Sequence, residues 1–377
     1  MNFDYIVCGS GLAGSAASRI LAEKGKKVLV LEKLPHIGGS VYDLYDEAGI
    51  LIHKYGPHIF HTNNEKVFTF LSRFTEWIDY QHRVIAKLDG FEIPVPFNTE
   101  SLRRVYGEEK AKYLTALLKE TYGTDTVSIM ALRDSENAEL KELGEYVYNN
   151  VFLYYTMKQW EKKPSEIDPA TTARVPVRLS DDDRYFTDIY QGMPKSGYTA
   201  LVENMLAHEN ITVETNCDAL TRIELRDGKI SFDGKETDAN VIYTGETDRL
   251  FGFKYGRLPY RTIDFVFETH NVDSYQNAAT VNYTVSEKFT RITEFKKLTQ
   301  QKKDGVTTIM KEFSRQYEGN EGDIPYYPIS NKGSSELYGK YRALCDDYPR
   351  LTLLGRLAEY KYYNMDAVLA HVIETLA

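Results

Sequence analysis

The sequence predicts a mixed α/β protein, in which a doubly wound, Rossmann-like domain carries an inserted helical bundle and an antiparallel β-sheet domain. Three observations predict it. Residues 5–31 read strand–helix–strand around a glycine-rich turn. Residues 98–160 are helical in pattern with no strong strand between them, and residues 258–315 alternate in several strand-like stretches. A chain of 377 residues is also too long for one small core, since domains typically hold about 100–200 residues.

The elements follow in order. Tyr5–Cys8 is an apolar run that ends at glycine. Residues 12–24 then show helical spacing with small side chains, and Gly25 is a candidate C-cap. Lys27–Leu31 is a second buried strand, with Glu32 directly after it. Residues 82–97 hold an Asp89-Gly90 turn between alternating runs, a hairpin signal. Helical stretches such as Lys110–Lys119 and Leu140–Tyr148 come next. Residues 173–196 are rich in Arg, Asp and Pro without a period, which predicts a long loop acting as a mobile lid. Residues 211–234, with Asp227-Gly228 and Asp233-Gly234 turns, read as a hairpin set. Val241–Thr244 and Leu351–Leu354 are short apolar strands, and Asp366–Leu376 is a terminal amphipathic helix. The predicted dinucleotide domain therefore comprises 1–80, 205–250 and 335–377. The helical domain is 98–165. The sheet domain is 82–97, 166–204 and 251–334, including the lid.

Composition narrows the function. There are 46 basic and 55 acidic residues, a net charge of −9, which argues against a general nucleic-acid or anionic-membrane surface. It leaves room for a local cationic pocket. Three scattered cysteines give no disulfide framework and point to a reducing compartment. No run approaches the roughly 18 apolar residues that span a bilayer, and Asp4 interrupts any signal-peptide pattern, so a cytoplasmic location is expected. The 29 tyrosines suit polar ligand pockets, although most must serve packing.

Gly9-Ser10-Gly11-Leu12-Ala13-Gly14 is a GxGxxG turn between a strand and a helix. Gly9 permits the tight turn, Gly11 lets a pyrophosphate approach the backbone, and Gly14 permits close helix–strand packing. Free N–H groups and the helix dipole favour the phosphates. Glu32, eighteen residues after Gly14, stands where a carboxylate accepts from a ribose diol. A chance glycine turn would lack this strand, helix and acid together. Gly38-Gly39, just after the acid, and the strand leading to Gly355-Arg356 with a helix beyond it fit two-dinucleotide-fold flavoproteins. No second GxGxxG exists. One site, for FAD, is expected. His53, His58 and His61 have the wrong spacing for a metal on a helix face, and no metal is expected.

Several stretches resemble the bacterial-type UDP-galactopyranose mutases. They are His36-Ile37-Gly38-Gly39, Tyr55-Gly56-Pro57-His58-Ile59-Phe60-His61-Thr62, Tyr155-Thr156-Met157-Lys158-Gln159-Trp160, Pro176-Val177-Arg178, Tyr185-Phe186, Gln191-Gly192-Met193-Pro194, Tyr260-Arg261-Thr262, Thr290-Arg291-Ile292-Thr293-Glu294, Pro325-Tyr326-Tyr327-Pro328 and Gly355-Arg356-Leu357. They occur in family order over almost the whole chain. The resemblance implies interconversion of UDP-galactopyranose and UDP-galactofuranose by FAD, active when reduced, through a covalent adduct between flavin N5 and the sugar. It implies that Arg178, on the lid, and Arg291 clamp the diphosphate, and that His58 lies beside the flavin ring. Around the UDP-sugar it places Phe152, Tyr155, Thr156, Trp160, Tyr185, Arg261, Asn282, Tyr327 and Tyr362. Ser40, Gly355, Arg356 and Asp366 join the cofactor set, and a homodimer is implied. Three departures stand out: Ser40 for an Asn, Glu246 for a Pro and Asn364 for an Asp. They leave room for another sugar, such as UDP-N-acetylgalactosamine or a deoxy sugar. The competing readings are an amine oxidase-like FAD oxidoreductase and a non-catalytic protein of the same fold.

Overall fold

The computed structural model describes residues 3–377 except 89, 162, 164–175, 286 and 321. Its centre is a five-stranded parallel sheet. Strand β1 (Tyr5–Cys8) lies between β2 (Val28–Leu31) and Asn240–Tyr243, with Ile211–Glu214 and Leu351–Leu353 on the outer edges. A parallel sheet is covered on both faces, so its strands read as unbroken apolar runs. Alternate side chains divide between two cores. Val7, Val28, Val30 and Ile242 face helix α1 (Leu12–Glu23) and the helices Gly197–Leu206 and Met365–Leu376. Ile6, Cys8, Leu29, Leu31, Val241 and Tyr243 face the opposite way, toward the three-stranded meander 223–236.

Five helices between Thr99 and Trp160 form the helical unit. Its first helix, Thr99–Tyr106, starts at a reciprocal cap: Asn98 Oδ1 accepts from Ser101 N at 3.0 Å, and Ser101 Oγ accepts from Asn98 N at 3.2 Å. A widened π turn, Tyr148–Leu153, leads into the last helix, Tyr154–Trp160. The third unit is a seven-stranded sheet in the order Tyr327–Pro328, Tyr260–His270, Thr307–Gln316, Arg291–Glu294, Thr280–Tyr283, Val84–Lys87, Glu92–Val95. It is antiparallel except where Thr280–Tyr283 meets Val84–Lys87.

Three expectations are corrected here. Ile211–Glu214 is not half of a hairpin; it pairs in parallel with β2, a partner far away in sequence. The segment expected to continue the sheet domain to 204 leaves it earlier. Tyr190–Pro194 pairs with Phe60–Thr62 and Trp77–Asp79, and Gly197–Leu206 buries Tyr198, Leu201 and Val202 in the core under the parallel sheet. The proposed lid contains strand structure as well: Val177–Arg178 pairs with Thr126–Val127. Residues 173–175 of that segment lie outside the described residues. Among the described residues, no helix is long and apolar enough to cross a membrane.

Candidate functional site

A cavity of about 580 Å³ opens where β1 turns into α1, at the carboxyl ends of the parallel strands. Gly9, Gly11, Gly14, Glu32, Gly39 and Ser40 are on its wall. Glu32 is buried and organises the turn: its Oε2 accepts from Ser10 N at 2.8 Å and Ser10 Oγ at 2.7 Å, and its Oε1 from Leu34 N at 2.9 Å. A carboxylate has about four acceptor sites, so capacity remains for a ribose hydroxyl. Gly38 abuts the same turn, donating its N–H to Ser10 O at 3.1 Å.

The glycines answer to different masters. A Cβ on Gly14 would lie 2.0 Å from the Gly9 carbonyl oxygen, so the fold itself requires glycine there. A Cβ on Gly11 would meet nothing closer than 3.9 Å. The chain's own packing therefore does not require glycine at that position, whereas close approach of a pyrophosphate to the α1 N-terminus does. Gly11→Ala is therefore expected to leave the Tm unchanged while weakening dinucleotide binding by at least about tenfold. Gly14→Ala is expected to yield little folded protein. Cofactor content and melting curves of the two variants check this.

The cavity ends at His58, Arg356 and Tyr326. His58 Nδ1 meets the Gly56 carbonyl oxygen at 2.8 Å, so that nitrogen carries the proton and Nε2 remains an acceptor. The His58 backbone N–H donates to His53 Nδ1 at 3.1 Å. Burial pushes His58 down to about 3, with His53, Arg356 and Arg291 adding to the shift. The imidazole is neutral at physiological pH.

Beyond His58 stands a group of cations and phenols. Arg291 Nε donates to Glu312 Oε1 at 2.7 Å. Burial opposes its charge, but the Glu312 carboxylate holds the guanidinium well above its ordinary value. Tyr155 and Tyr327 are within electrostatic reach of both Arg291 and Glu312, and Tyr185 within reach of Tyr155. Burial raises both phenols, Tyr327 to about 12, so they stay protonated donors. Asn282 sits directly opposite Arg291 in the sheet, and its Oδ1 is buried without a hydrogen-bond partner. Such an orphan calls for an outside donor. Arg178 donates to the Arg184 carbonyl at 2.8 Å and the Tyr185 carbonyl at 3.2 Å. The nearby Asp182 is taken up by Arg184. Arg356 reaches the Tyr363 carbonyl at 2.6 Å and faces the rings of Tyr327 and Tyr362. Among the described residues neither Arg178 nor Arg356 has an ion-pair partner, so both keep charge for an anion.

The other expected site residues divide between the site and its supports. Arg261 is 2% exposed, and its guanidinium is committed to the Gln159 carbonyl, Glu161 and Ser314, so it ties the helix Tyr154–Trp160 to the sheet. Phe152 packs in the helical core, and Thr156, four residues on, is buried as well. Trp160 is half-buried at the end of its helix. Tyr362 is exposed and stacks near Tyr327, with ring centres 5.4 Å apart. Asp366 accepts from Thr62 Oγ1 at 3.0 Å and is not on the cavity wall; its neighbour Met365 is. Gly355 is on the wall and donates its N–H to Glu359 Oε2 at 2.9 Å. Glu312, His82, Tyr55 and Tyr326 were missed as site residues. Glu312 and His82 lie in alternating stretches whose register fixes their direction, and one strand alone does not give register.

Comparison with known proteins separates the candidates. A family model described as UDP-galactopyranose mutase matches residues 150–362, and one described as an NAD(P)-binding Rossmann-like domain matches residues 7–74. The chain belongs to the UDP-galactopyranose mutase family. A probable UDP-galactopyranose mutase of Klebsiella pneumoniae is 35% identical over 376 residues, spanning 99% of this chain and 94% of the relative. An Escherichia coli protein named dTDP-fucopyranose mutase is 34% identical, spanning 98% of this chain and 96% of the relative. The crystal structure of a reduced UDP-galactopyranose mutase superimposes with a TM-score of 0.72 over 100% of this chain and 93% of that one, at 17% identity. The chain is thus an isomerase of the mutase type, with a Rossmann-like domain at its centre.

Proposed function

We propose that this mutase interconverts the pyranose and furanose forms of a nucleoside-diphosphate hexose, with UDP-galactose as first substrate and FAD in the cavity at β1. The observation that carries the reading is a set of cationic and hydrogen-bonding groups: Arg356 on the cavity wall, Arg291 held by Glu312 and within electrostatic reach of His58 and of two protonated phenols, the unpartnered Asn282 Oδ1 opposite Arg291, and Arg178 beside Tyr185. When bound and reduced, the flavin supplies a nucleophilic nitrogen to the anomeric carbon. The protein's own work is electrostatic and positional. Arg291 and Arg178 hold the diphosphate as it departs and returns. Tyr155 and Tyr327 donate hydroxyls without adding charge. The neutral His58 offers an acceptor at Nε2 and no acidic proton.

The departures from the family pattern divide by place. Ser40 and Glu246 are both on the wall of the dinucleotide cavity, and Glu246 Oε1 accepts from Tyr317 OH at 3.2 Å. They bear on the cofactor rather than the sugar. Asn364 is exposed at the start of Met365–Leu376 and makes no side-chain cap there. It stands two residues after Tyr362 and is the departure that bears on the sugar, as does the similarity to a relative named for a dTDP-linked deoxy sugar.

The test is chromatography of UDP-galactofuranose incubated with dithionite-reduced protein, with UDP-N-acetylgalactofuranose and a dTDP-fucofuranose alongside. The expected product is the pyranose, formed without stoichiometric consumption of reductant. Peroxide release with no isomer of any of the three sugars would transfer the protein to the oxidoreductase reading.

A further inference from the structure

Three of the groups placed around the diphosphate come from two separate elements. Tyr155 comes from the helix Tyr154–Trp160, whereas Asn282 and Arg291 come from the hairpin of Thr280–Tyr283 and Arg291–Glu294. One side chain joins them. Lys158 Nζ donates to the backbone carbonyls of Tyr283, the last residue of the first hairpin strand, and of Glu287 (3.0 Å) and Phe289 (3.3 Å), which precede the second. An ammonium has three N–H bonds, and this turn presents three carbonyl oxygens. The donors are used up, so Lys158 has none left for a ligand.

We propose that Lys158 is a positioning residue for substrate binding, locking the hairpin to the helix so that Arg291 and Asn282 face Tyr155 at a fixed spacing. This rests on the reading that Arg291 and Tyr155 hold the diphosphate. The helix has an anchor of its own one residue further on, since the Gln159 carbonyl accepts from Arg261 Nε at 3.2 Å and Ser314 Oγ at 2.7 Å. Losing Lys158 therefore frees the hairpin turn without releasing the helix.

The charge state matters as well as the length of the side chain. Burial pushes the Lys158 ammonium down to about 8, while the Glu287 carboxylate acts in the opposite direction. The other ionisable groups facing this turn are Lys87, over the Tyr283 ring, Lys311, over the Phe289 ring, and the Tyr283 phenol, raised to about 12. Burial is what brings the Lys158 ammonium into the range where it loses its charge as pH rises through about 8. A neutral amine brings two donors and a lone pair to three carbonyl oxygens. At least one bond is then lost and the lock loosens.

Calorimetric titration of UDP into the FAD-loaded protein tests this. Lys158→Met is expected to bind UDP about tenfold more weakly, in line with the loss of charge-assisted hydrogen bonds, while cofactor content holds. Lys158→Arg keeps a permanent cation and is expected to recover most of the affinity. In the wild type, UDP affinity should fall between about pH 7 and about pH 9.5, and that fall should be absent from both variants. A merely structural lysine would not give this alkaline limb. Wild-type affinity flat across that range overturns the proposal, even if Lys158→Met fails to fold. So does Lys158→Met matching the wild type while Arg291→Ala loses UDP. Undiminished UDP binding by Arg291→Ala overturns the diphosphate reading, and the role of Lys158 with it.

Discussion

Arg178→Ala and Arg291→Ala are each expected to lower kcat/KM for the nucleotide sugar by about 10²–10³-fold, the usual cost of one donor aimed at developing charge. The two should differ in stability, and that difference is the sharper test. Among the described residues Arg178 is held by carbonyl oxygens and by no ion pair, so its loss strands no charge, and the Tm should be close to that of the wild type. Arg291 neutralises Glu312, whose side chain is 3% exposed. Removing the arginine leaves a buried carboxylate unpaired, at a cost of about 3–5 kcal/mol. Arg291→Ala should therefore lose activity and melt early, and Arg291→Lys should regain stability before activity, because a point charge satisfies Glu312 but cannot present a planar fork to two phosphate oxygens. Near-normal turnover in both alanine variants would remove the diphosphate clamps. Equal stability of Arg291→Ala and wild type would show that Glu312 has another partner.

How much of this was legible in the sequence depends on the range of the interaction. The β1–α1–β2 unit and Glu32 were readable because the contacts that define the turn, Glu32 to Ser10 and Gly14 to Gly9, lie within some thirty residues, and glycine at three fixed steps has few other uses. Ile211–Glu214 was not readable. Its apolar spacing is that of any edge strand, and its partner is β2 on the far side of the sequence. Arg261 shows the same limit at the level of one side chain. An arginine inside a family motif reads as a ligand, but its three contacts, to Gln159, Glu161 and Ser314, come from two other segments and commit each of its nitrogens to holding them together. Glu312 could be found only through Arg291, by pairing register. Local chemistry was written in the motifs, while the wiring between segments was set by packing.

Acid is expected to unfold the protein well before its carboxylates titrate. His53 and His82 are 1% and 4% exposed, and burial pushes each down to about 3. Unfolded, each returns to the ordinary value near 6.5. Their folded-state value is depressed, so the unfolded chain takes up protons first. The stability they allow is complete above about pH 6.5 and is lost as pH falls toward 3. Each imidazole removes up to about 1.4 kcal/mol per pH unit across that window, so two of them remove about 5 kcal/mol by roughly pH 4.5, comparable with the whole stability of many domains. His58 joins them once a dinucleotide fills the cavity that its exposed part faces. Asp43 and Asp248, whose carboxyls burial raises, act in the opposite sense, but only once the pH approaches the carboxylate range. Scanning calorimetry from about pH 7.5 to about pH 4.5 should show a steep fall in Tm beginning near 6.5. His82→Gln keeps a polar partner for Tyr80 OH, which now meets His82 Nδ1 at 3.1 Å, and cannot titrate. Its slope should be shallower by one proton. A Tm unchanged between pH 7 and pH 5 would mean that these imidazoles take up protons as readily folded as unfolded, and it would withdraw the neutral state of His58 argued on the same ground.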